Sequence, residues 1–358
     1  MTGMLQDLLH ERADEAGAPH VDLASITRDG ERRVRHRRTA VLGGLTAAAV
    51  SVVAGVALLG GGPSPSPDSG RDRLADGTDS TPVALSWVEG TTLHRAGQPD
   101  VDLGVEVRAW VWAGDDVVFT DPDLRVRVWS GDALDVVGEV AKPPSDEAEL
   151  VADGTRVAWA DPQGRPVRLD VSTGEVVTGP RLPGRDLRVT AIDGAVVYAA
   201  GSGGVHVWQP TSPDGFETLV DDARGTVIDA EGGTLVRETG DREARVTGPG
   251  GRVLTLATDG FANLSPDGSH VASESDDTGV LLDTDTGAQV TLDTGFAWAL
   301  PYQWLDDDTV VVLAFSGLDS SQDEVPHLLT CEVPTGACGD AVTLPSTFQL
   351  PIGIHLEP

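Results

Sequence analysis

The chain has 358 residues with 43 Gly and 23 Pro but only 4% aromatic residues, which favours one large all-β domain with many turns over long helices. Its formal net charge is −32 at pH 7. A surface this acidic repels phosphate backbones and anionic lipid headgroups, and therefore disfavours nucleic-acid binding and flat adsorption to a membrane.

The N-terminal segment predicts a cytoplasmic stub over residues 1–38 and a transmembrane helix over residues 39–60. The stub opens with leucines at helical spacing and ends in an arginine-rich flank, Arg32 to Arg38. The uncharged run after it is long enough to span a bilayer, since about 20 residues cover the hydrocarbon core. Arginine-rich flanks are retained in the cytoplasm, so the rest of the chain is expected outside the cytoplasm, at a bacterial cell membrane.

A cleaved export signal is the alternative interpretation of this apolar run. Arg37-Arg38-Thr39 faintly resembles the start of a twin-arginine signal. However, the run is long for a signal peptide, no A-x-A cleavage site follows Leu59, and no cysteine marks a lipoprotein junction. We therefore favour an uncleaved single-pass anchor, followed by a Pro/Ser/Gly/Asp-rich linker over residues 61–81.

Residues 82–358 contain an internal repeat. The pattern V-x-[VL]-[WD] recurs at offsets of 36 to 41 residues, the length of one four-stranded propeller blade. Its copies, the fourth of them degenerate, are 126–129, 167–170, 205–208, 244–247 and 280–283. A turn glycine or aspartate recurs in the same register at Gly114, Gly154, Gly194, Gly233, Gly268 and Asp307. The spacing predicts blades near 105–140, 146–182, 184–222, 223–258, 259–295 and 296–344.

Two segments remain outside these six blades. Residues 82–104 hold three short strand patterns, and the C-terminal FQLPIGIHLEP holds one. Three strands plus one make a seventh blade closed by both ends of the chain, which removes the free sheet edges of an open ring. Six blades with an irregular extra unit is the alternative.

The stretch SPDGSHVAS followed by VLLDTDTG resembles the TolB-type and WD-repeat-like β-propellers, in their bacterial exported form. The resemblance covers residues 82–358 in spacing but is sharp only in the blade at 259–295. Other blades keep the Asp-Gly turn without the Ser-Pro, as in VADGTRVAW. The resemblance implies a propeller fold and a general binding role, with no shared catalytic residues to carry over.

No catalytic residue, metal ligand or cofactor is assigned from the sequence. The nucleophile elbow, the H-E-x-x-H zinc motif and the phosphate-binding loop are all missing from it. Asp121-Pro122-Asp123 and Asp283-Thr284-Asp285 raise calcium binding as an alternative, but short Asp side chains that cap tight turns explain them more simply. The histidines fall at different positions of their blades, and the tryptophans are interpreted as blade core.

The two cysteines, Cys331 and Cys338, flank a predicted hairpin turn and occupy the same cross-strand positions as Leu169 and Val176. Neighbouring antiparallel positions hold their Cβ atoms about 4.5 to 5.5 Å apart, close to what a disulfide requires. Outside the cytoplasm, oxidation is expected. We predict a disulfide.

The last full blade carries an insertion, SGLDSSQDEVPH, between Phe315 and Leu328. Loops on a rigid scaffold often determine specificity, so the insertion is a candidate binding rim, although a tolerated surface insertion is the simpler alternative. The rim residues are Asp319, Asp323, Glu324 and His327. The net charge favours a neutral or basic protein or peptide as the partner.

Three functions remain open. The first is a membrane-anchored extracytoplasmic propeller that binds a protein, peptide or envelope ligand without catalysis. The second is a propeller enzyme, a hydrolase or lyase, with acid–base groups at the mouth of the central channel. The third is a signal transducer acting through the cytoplasmic stub, which ranks lowest because the stub lacks the cysteine of a His-Cys zinc site.

Overall fold

The computed structural model describes residues 85–356 apart from 132, 143–146, 212–214, 221–224, 241 and 318–323. The predicted stub, transmembrane helix and linker lie outside the described residues. Over the described part of the chain, no helix is long and apolar enough to cross a membrane.

The described residues form seven antiparallel sheets, each built from strands that follow one another in the chain. The opening sheet has three strands: β1 (Ser86–Glu89), β2 (Thr92–Arg95) and β3 (Val101–Asp102). Blade 1 has β4 (Ala109–Ala113), β5 (Asp116–Thr120), β6 (Arg125–Ser130) and β7 (Ala133–Glu139). Blade 2 has β8 (Val151–Asp153), β9 (Arg156–Ala160), β10 (Pro166–Asp170) and β11 (Glu175–Thr178). Blade 3 has β12 (Arg188–Asp193), β13 (Val196–Gly201), β14 (Gly204–Trp208) and β15 (Phe216–Val220).

The remaining three blades repeat this pattern. Blade 4 has β16 (Val227–Glu231), β17 (Thr234–Gly240), β18 (Glu243–Thr247) and β19 (Val253–Ala257). Blade 5 has β20 (Ala262–Leu264), β21 (His270–Ser275), β22 (Thr278–Asp283) and β23 (Gln289–Thr291). Blade 6 has β24 (Trp298–Asp306), β25 (Thr309–Phe315), β26 (His327–Glu332) and β27 (Cys338–Thr343). Each sheet lies within one predicted blade range, and the five copies of the repeat lie in the third strands.

The seventh blade is closed by both ends of the chain, as predicted. Val88 of β1 and Gln349 exchange backbone hydrogen bonds of 3.0 and 2.8 Å. The C-terminal segment thus adds the missing strand beside β1. The indole Nε1 of Trp110 also donates to the Gln349 carbonyl at 2.9 Å. The chain therefore forms a seven-bladed β-propeller, and the six-bladed alternative is wrong.

The first strand of each blade contacts the first strand of the next, from β4 to β8 and on to β24, so these strands line the centre of the ring. Because successive strands run in opposite directions, the connections within a blade alternate between two sides of the ring. We call the side with the first-to-second and third-to-fourth strand turns the turn face. The other side, with the second-to-third strand loops and the connections between blades, is the loop face.

Tryptophans fill the spaces between blades, in agreement with their assignment to the core. Trp110 and Trp159 are fully buried, and Trp208 is 2% exposed. A Cβ on Gly138 of blade 1 would lie 2.6 Å from the Trp159 ring, and one on Gly179 would lie 2.7 Å from Trp208. The flat rings thus pack directly on glycine backbone of the preceding blade. A larger residue at Gly138 or Gly179 would clash with the tryptophan of the next blade.

Cys331 and Cys338 form the predicted disulfide. They are direct partners in the register of β26 and β27, as Leu169 and Val176 are in β10 and β11. The repeat therefore places the two sulfur atoms next to each other, on the turn face of blade 6.

Candidate functional site

The predicted binding rim lies on the loop face of blade 6, between the end of β25 and the start of β26. Asp319 and Asp323 lie outside the described residues. Glu324 accepts a hydrogen bond from the backbone N–H of Gly317 and so closes the base of the loop. His327 pairs with Ala314 and Thr343 in the sheet, and its ring centroid lies 4.9 Å from that of Phe296. Glu324 therefore shapes the loop, and His327 belongs to the blade.

The aspartates that raised the calcium alternative cap their own turns. Asp121 Oδ1 accepts the backbone N–H groups of Asp123 and Arg125, each at 3.0 Å. Asp283 Oδ1 accepts those of Asp285 at 2.9 Å and Thr286 at 2.7 Å. Both carboxylates therefore hold their own turns, as the turn-cap interpretation predicts.

The histidines of the propeller have separate surroundings. His94 Nδ1 lies 2.9 Å from Asp100, His270 Nδ1 lies 2.8 Å from Ser269 Oγ, and His355 Nδ1 lies 3.0 Å from the Arg108 carbonyl. His206 is buried beside Phe216. Among the described residues, the group that could hold a metal ion contains carboxylates and no histidine.

That group is a carboxylate cluster formed by Asp153, Asp193 and Glu231. One oxygen from each lies within 4.8 Å of the others, and each side chain is half-buried. The three residues end β8, β12 and β16, the inner strands of three consecutive blades, directly before the first glycine of the turn. The cluster therefore lies at the turn-face end of the ring centre.

Hydrogen bonds tie this cluster to neighbouring blades. Asp153 accepts the backbone N–H of Gly194, and Asp193 Oδ2 accepts that of Gly233 at 3.1 Å. Asp229, two residues before Glu231, accepts the N–H of Leu264 at 2.7 Å. Each of these aspartates thus binds the backbone of the next blade, which gives the acidic residues a structural role as links around the ring.

Burial and the neighbouring carboxyl groups favour the neutral forms of Glu231 and Asp229. Burial, together with the charges of Asp153, Asp229 and Asp193, raises the pKa of Glu231 to about 10. Burial also raises the pKa of Asp229 to about 6, although two backbone N–H groups oppose that shift. Glu231 is therefore protonated at neutral pH and able to donate a hydrogen bond. A carboxylic acid beside carboxylates can act in acid–base chemistry, and carboxylate oxygens suit a hard cation.

The sequence interpretation missed this cluster, although a signal was present. An acidic residue precedes the turn glycine in four consecutive blades, and in three of them, Asp153-Gly154, Asp193-Gly194 and Glu231-Gly232, it ends the first strand. Residues at one repeat position on adjacent inner strands must approach one another at the ring centre.

No protein-family model matches the chain, and no curated protein matches it. Among solved structures, the Mitotic Checkpoint Complex is similar at 13% identity and a TM-score of 0.50, over 78% of this chain and 89% of that chain. PorZ, a surface component of the type-IX secretion system of Porphyromonas gingivalis, is similar at 12% identity and a TM-score of 0.51, over 74% of this chain and 37% of that chain. The Cps50 (Swd1) propeller domain of Myceliophteria thermophila matches at 12% identity and a TM-score of 0.45, over 67% of this chain and 88% of that chain. At these identities the similarities with TM-scores of 0.50 and 0.51 show the fold alone.

Proposed function

We propose that the protein is a membrane-anchored, extracytoplasmic β-propeller that binds a protein, peptide or envelope ligand without catalysis. This proposal rests on two features of blade 6, a disulfide and a long loop. Its turn face is cross-linked by Cys331–Cys338, and its loop face carries the long connection from Phe315 to His327. A long loop on a cross-linked blade is a typical arrangement for recognition.

The disulfide also supports the proposed location. Structural disulfides persist in oxidising compartments and are rare in the cytoplasm. Cys331 is fully buried, so the bond is part of the blade core and is not a surface thiol pair. An extracytoplasmic propeller agrees with the arginine flank, which keeps the N-terminus inside, and with the linker over residues 61–81.

Topology is tested with protease added to intact cells. Cleavage in the linker should release a soluble propeller that contains the disulfide, while a tag on the N-terminus stays protected. A propeller that remains protected from protease in intact cells, with free thiols at Cys331 and Cys338, would contradict the proposed location.

Binding is tested by crosslinking in intact membranes, followed by affinity measurement with the captured partner. The variant Asp319→Asn/Asp323→Asn/Glu324→Gln neutralises the rim, and the Gln side chain retains an acceptor for Gly317 N–H. The matched control Glu106→Gln/Asp135→Asn/Glu217→Gln removes the same charge from exposed residues elsewhere. We expect the rim variant to bind a basic partner at least fivefold more weakly at low salt and the control to change little. Equal losses in both variants would refute the rim.

The carboxylate cluster favours a second candidate, a hydrolase or lyase with acid–base groups at the ring centre. Glu231 would be the acid, because its raised pKa keeps it protonated at neutral pH. A panel of hydrolase and lyase substrates, assayed with wild-type protein and Glu231→Gln, tests this candidate. If the wild-type protein turns over a substrate and Glu231→Gln abolishes that turnover while remaining folded, the protein is an enzyme and the binding proposal is wrong.

A further inference from the structure

A cleft of about 470 Å³ opens on the loop face between blades 1, 2 and 3. Its wall carries the chain's single lysine, Lys142, and two arginines, Arg181 and Arg185. We call it the cationic cleft. All three side chains are exposed, and each comes from a connection between blades. Three positively charged side chains therefore lie in one cleft of a protein whose net charge is −32.

The backbone that carries these cations is fixed. Beside Lys142, the N–H of Ala141 donates to the Ala160 carbonyl at 2.8 Å. Beside Arg181, the buried Leu182 donates its N–H to the Gly164 carbonyl at 3.2 Å. Arg185 itself donates its N–H to Ser202 Oγ at 2.7 Å and accepts the Ser202 N–H at 3.0 Å. The side chains are therefore mounted on anchored loops, which lowers the entropy lost when they close on a ligand.

The cations of the cleft are free of ion pairs within the described part of the chain, whereas one of the two carboxylates of the wall is already engaged. Asp161 accepts Arg165 Nε and lies 2.7 Å from Arg165 Nη2, and it caps its own turn through the N–H groups of Gln163 and Arg165. The other acidic residue of the wall is the exposed Asp186. Because Arg165 neutralises Asp161, only Asp186 offsets the three cations, and the cleft has a net charge of +2.

We propose that the cationic cleft binds a small phosphorylated molecule, a phosphomonoester with a compact apolar body. A phosphomonoester carries about −1.5 to −2 charges at pH 7, which matches the uncompensated charge of the cleft. Guanidinium groups match the geometry of phosphate oxygens, and a lysine adds a point charge. The volume falls in the range of small-molecule sites, and Leu182 and Leu187 give the wall an apolar part.

The acidic side chains elsewhere in the protein repel this anionic ligand at long range, and salt weakens that repulsion. The Debye length is about 10 Å at 0.1 M ionic strength, so distant carboxylates are screened while contacts inside the cleft persist. Binding should therefore be measured at about 0.1 M salt. This site is separate from the rim of blade 6, and the proposal does not depend on the partner proposed there.

Calorimetric titration of the full-length protein in detergent tests the proposal with phenyl phosphate, inorganic phosphate and benzoate as probes. We expect phenyl phosphate to bind more tightly than inorganic phosphate and benzoate to bind weakest. The variants Arg185→Gln and Lys142→Gln should each weaken phenyl phosphate binding about tenfold. Arg245→Gln is the matched control, because Arg245 is an exposed arginine on blade 4, outside the cleft.

Unchanged affinity in Arg185→Gln and Lys142→Gln would overturn the proposal, as would an equal loss in Arg245→Gln, which would indicate a general charge effect. Benzoate binding as tightly as phenyl phosphate would also overturn it, because the site would then select an apolar carboxylate. Circular dichroism of each variant separates lost binding from lost folding, and the exposure of all three substituted side chains makes folding the expected outcome.

Discussion

Two glutamates near the ring centre, Glu149 on the loop face and Glu231 on the turn face, have opposite surroundings. The Glu149 side chain is fully buried, yet Arg108 Nε lies 2.6 Å from one oxygen and Thr120 Oγ1 lies 2.5 Å from the other. Glu231 is less buried but faces other acids, and its pKa rises to about 10. The two groups therefore differ in their partners, because Glu149 meets a cation and a hydroxyl group whereas Glu231 meets other carboxyl groups.

The same contrast extends to the two faces. On the loop face, Asp121, Glu149 and Asp161 have arginine partners, and three cations remain free in the cationic cleft. On the turn face, Asp153 and Asp193 bind the backbone of the next blade and stand close to Glu231. The loop face is thus suited to binding anions, whereas the turn face makes the stability of the ring dependent on pH.

The largest expected effect comes from the C-terminal tail, which crosses the loop face between blades 1 and 2. Gly353 donates to the Trp110 carbonyl at 2.8 Å and accepts the N–H of Glu149 at 2.7 Å. Its φ is +67°, and a Cβ would lie 1.9 Å from the Leu150 oxygen. Gly353→Ala should lower the free energy of unfolding by more than about 3 kcal/mol, because backbone must move.

Gly154→Ala on the turn face is the matched control for this prediction. Its φ of +56° is similar, but a Cβ there would meet nothing within 4 Å. We expect a cost of only about 1 kcal/mol from the unfavourable φ. Urea denaturation of both variants makes the comparison, and similar losses would show that the tail does not hold the ring closed.

The second effect concerns the buried ion pair of the loop face. Glu149→Ala should lower the free energy of unfolding by about 3 kcal/mol, because it leaves Arg108 without its partner in a site where the Arg108 side chain is only 22% exposed. The double variant Arg108→Ala/Glu149→Ala should lose less than the sum of the two single variants, as measured by denaturant unfolding. Additive losses would mean that the pair contributes no coupling.

Much of this architecture follows from the sequence because a repeat encodes it. Equivalent positions such as Val167 and Val205 have equivalent strands, so spacing predicted the six full blades and the pairing of the two cysteine positions. Strand patterns at the two chain ends predicted the seventh blade. The carboxylate cluster and the cationic cleft follow from proximity across blades. Lys142, Arg181 and Arg185 lie in connections that have no repeat, and a pattern within one blade cannot show that they meet.

The third prediction concerns the covalent link on the turn face of blade 6. The disulfide closes a loop of sequence separation 7, for which the chain-entropy model gives about 2 to 3 kcal/mol. Cys331→Ala/Cys338→Ala should lose about this much stability relative to the oxidised protein. Reduction of the wild-type protein gives the control without a change of sequence. A double variant as stable as the oxidised protein would show that the noncovalent contacts of β26 and β27 suffice.

The smallest expected effect, and the one of opposite sign, is at Glu231. Its pKa is 4.5 in a reference state and about 10 in the folded protein. Between these values the folded protein holds a proton that the unfolded chain has released, so the free energy of unfolding falls as the pH rises, by at most about 1.4 kcal/mol per pH unit. The stabilisation is fully present below about pH 4.5 and is lost as the pH approaches 10.

Glu231→Gln keeps the shape of the protonated side chain and removes this dependence. Relative to wild type, the variant should be more stable by roughly 2 kcal/mol at pH 6 and nearly equal at pH 4.5. Glu106→Gln removes the same charge from an exposed site and should shift stability little at either pH. Urea unfolding at the two pH values makes the comparison. If Glu231→Gln is destabilising at pH 6, the carboxylate has a favourable partner, and the turn face resembles the loop face after all.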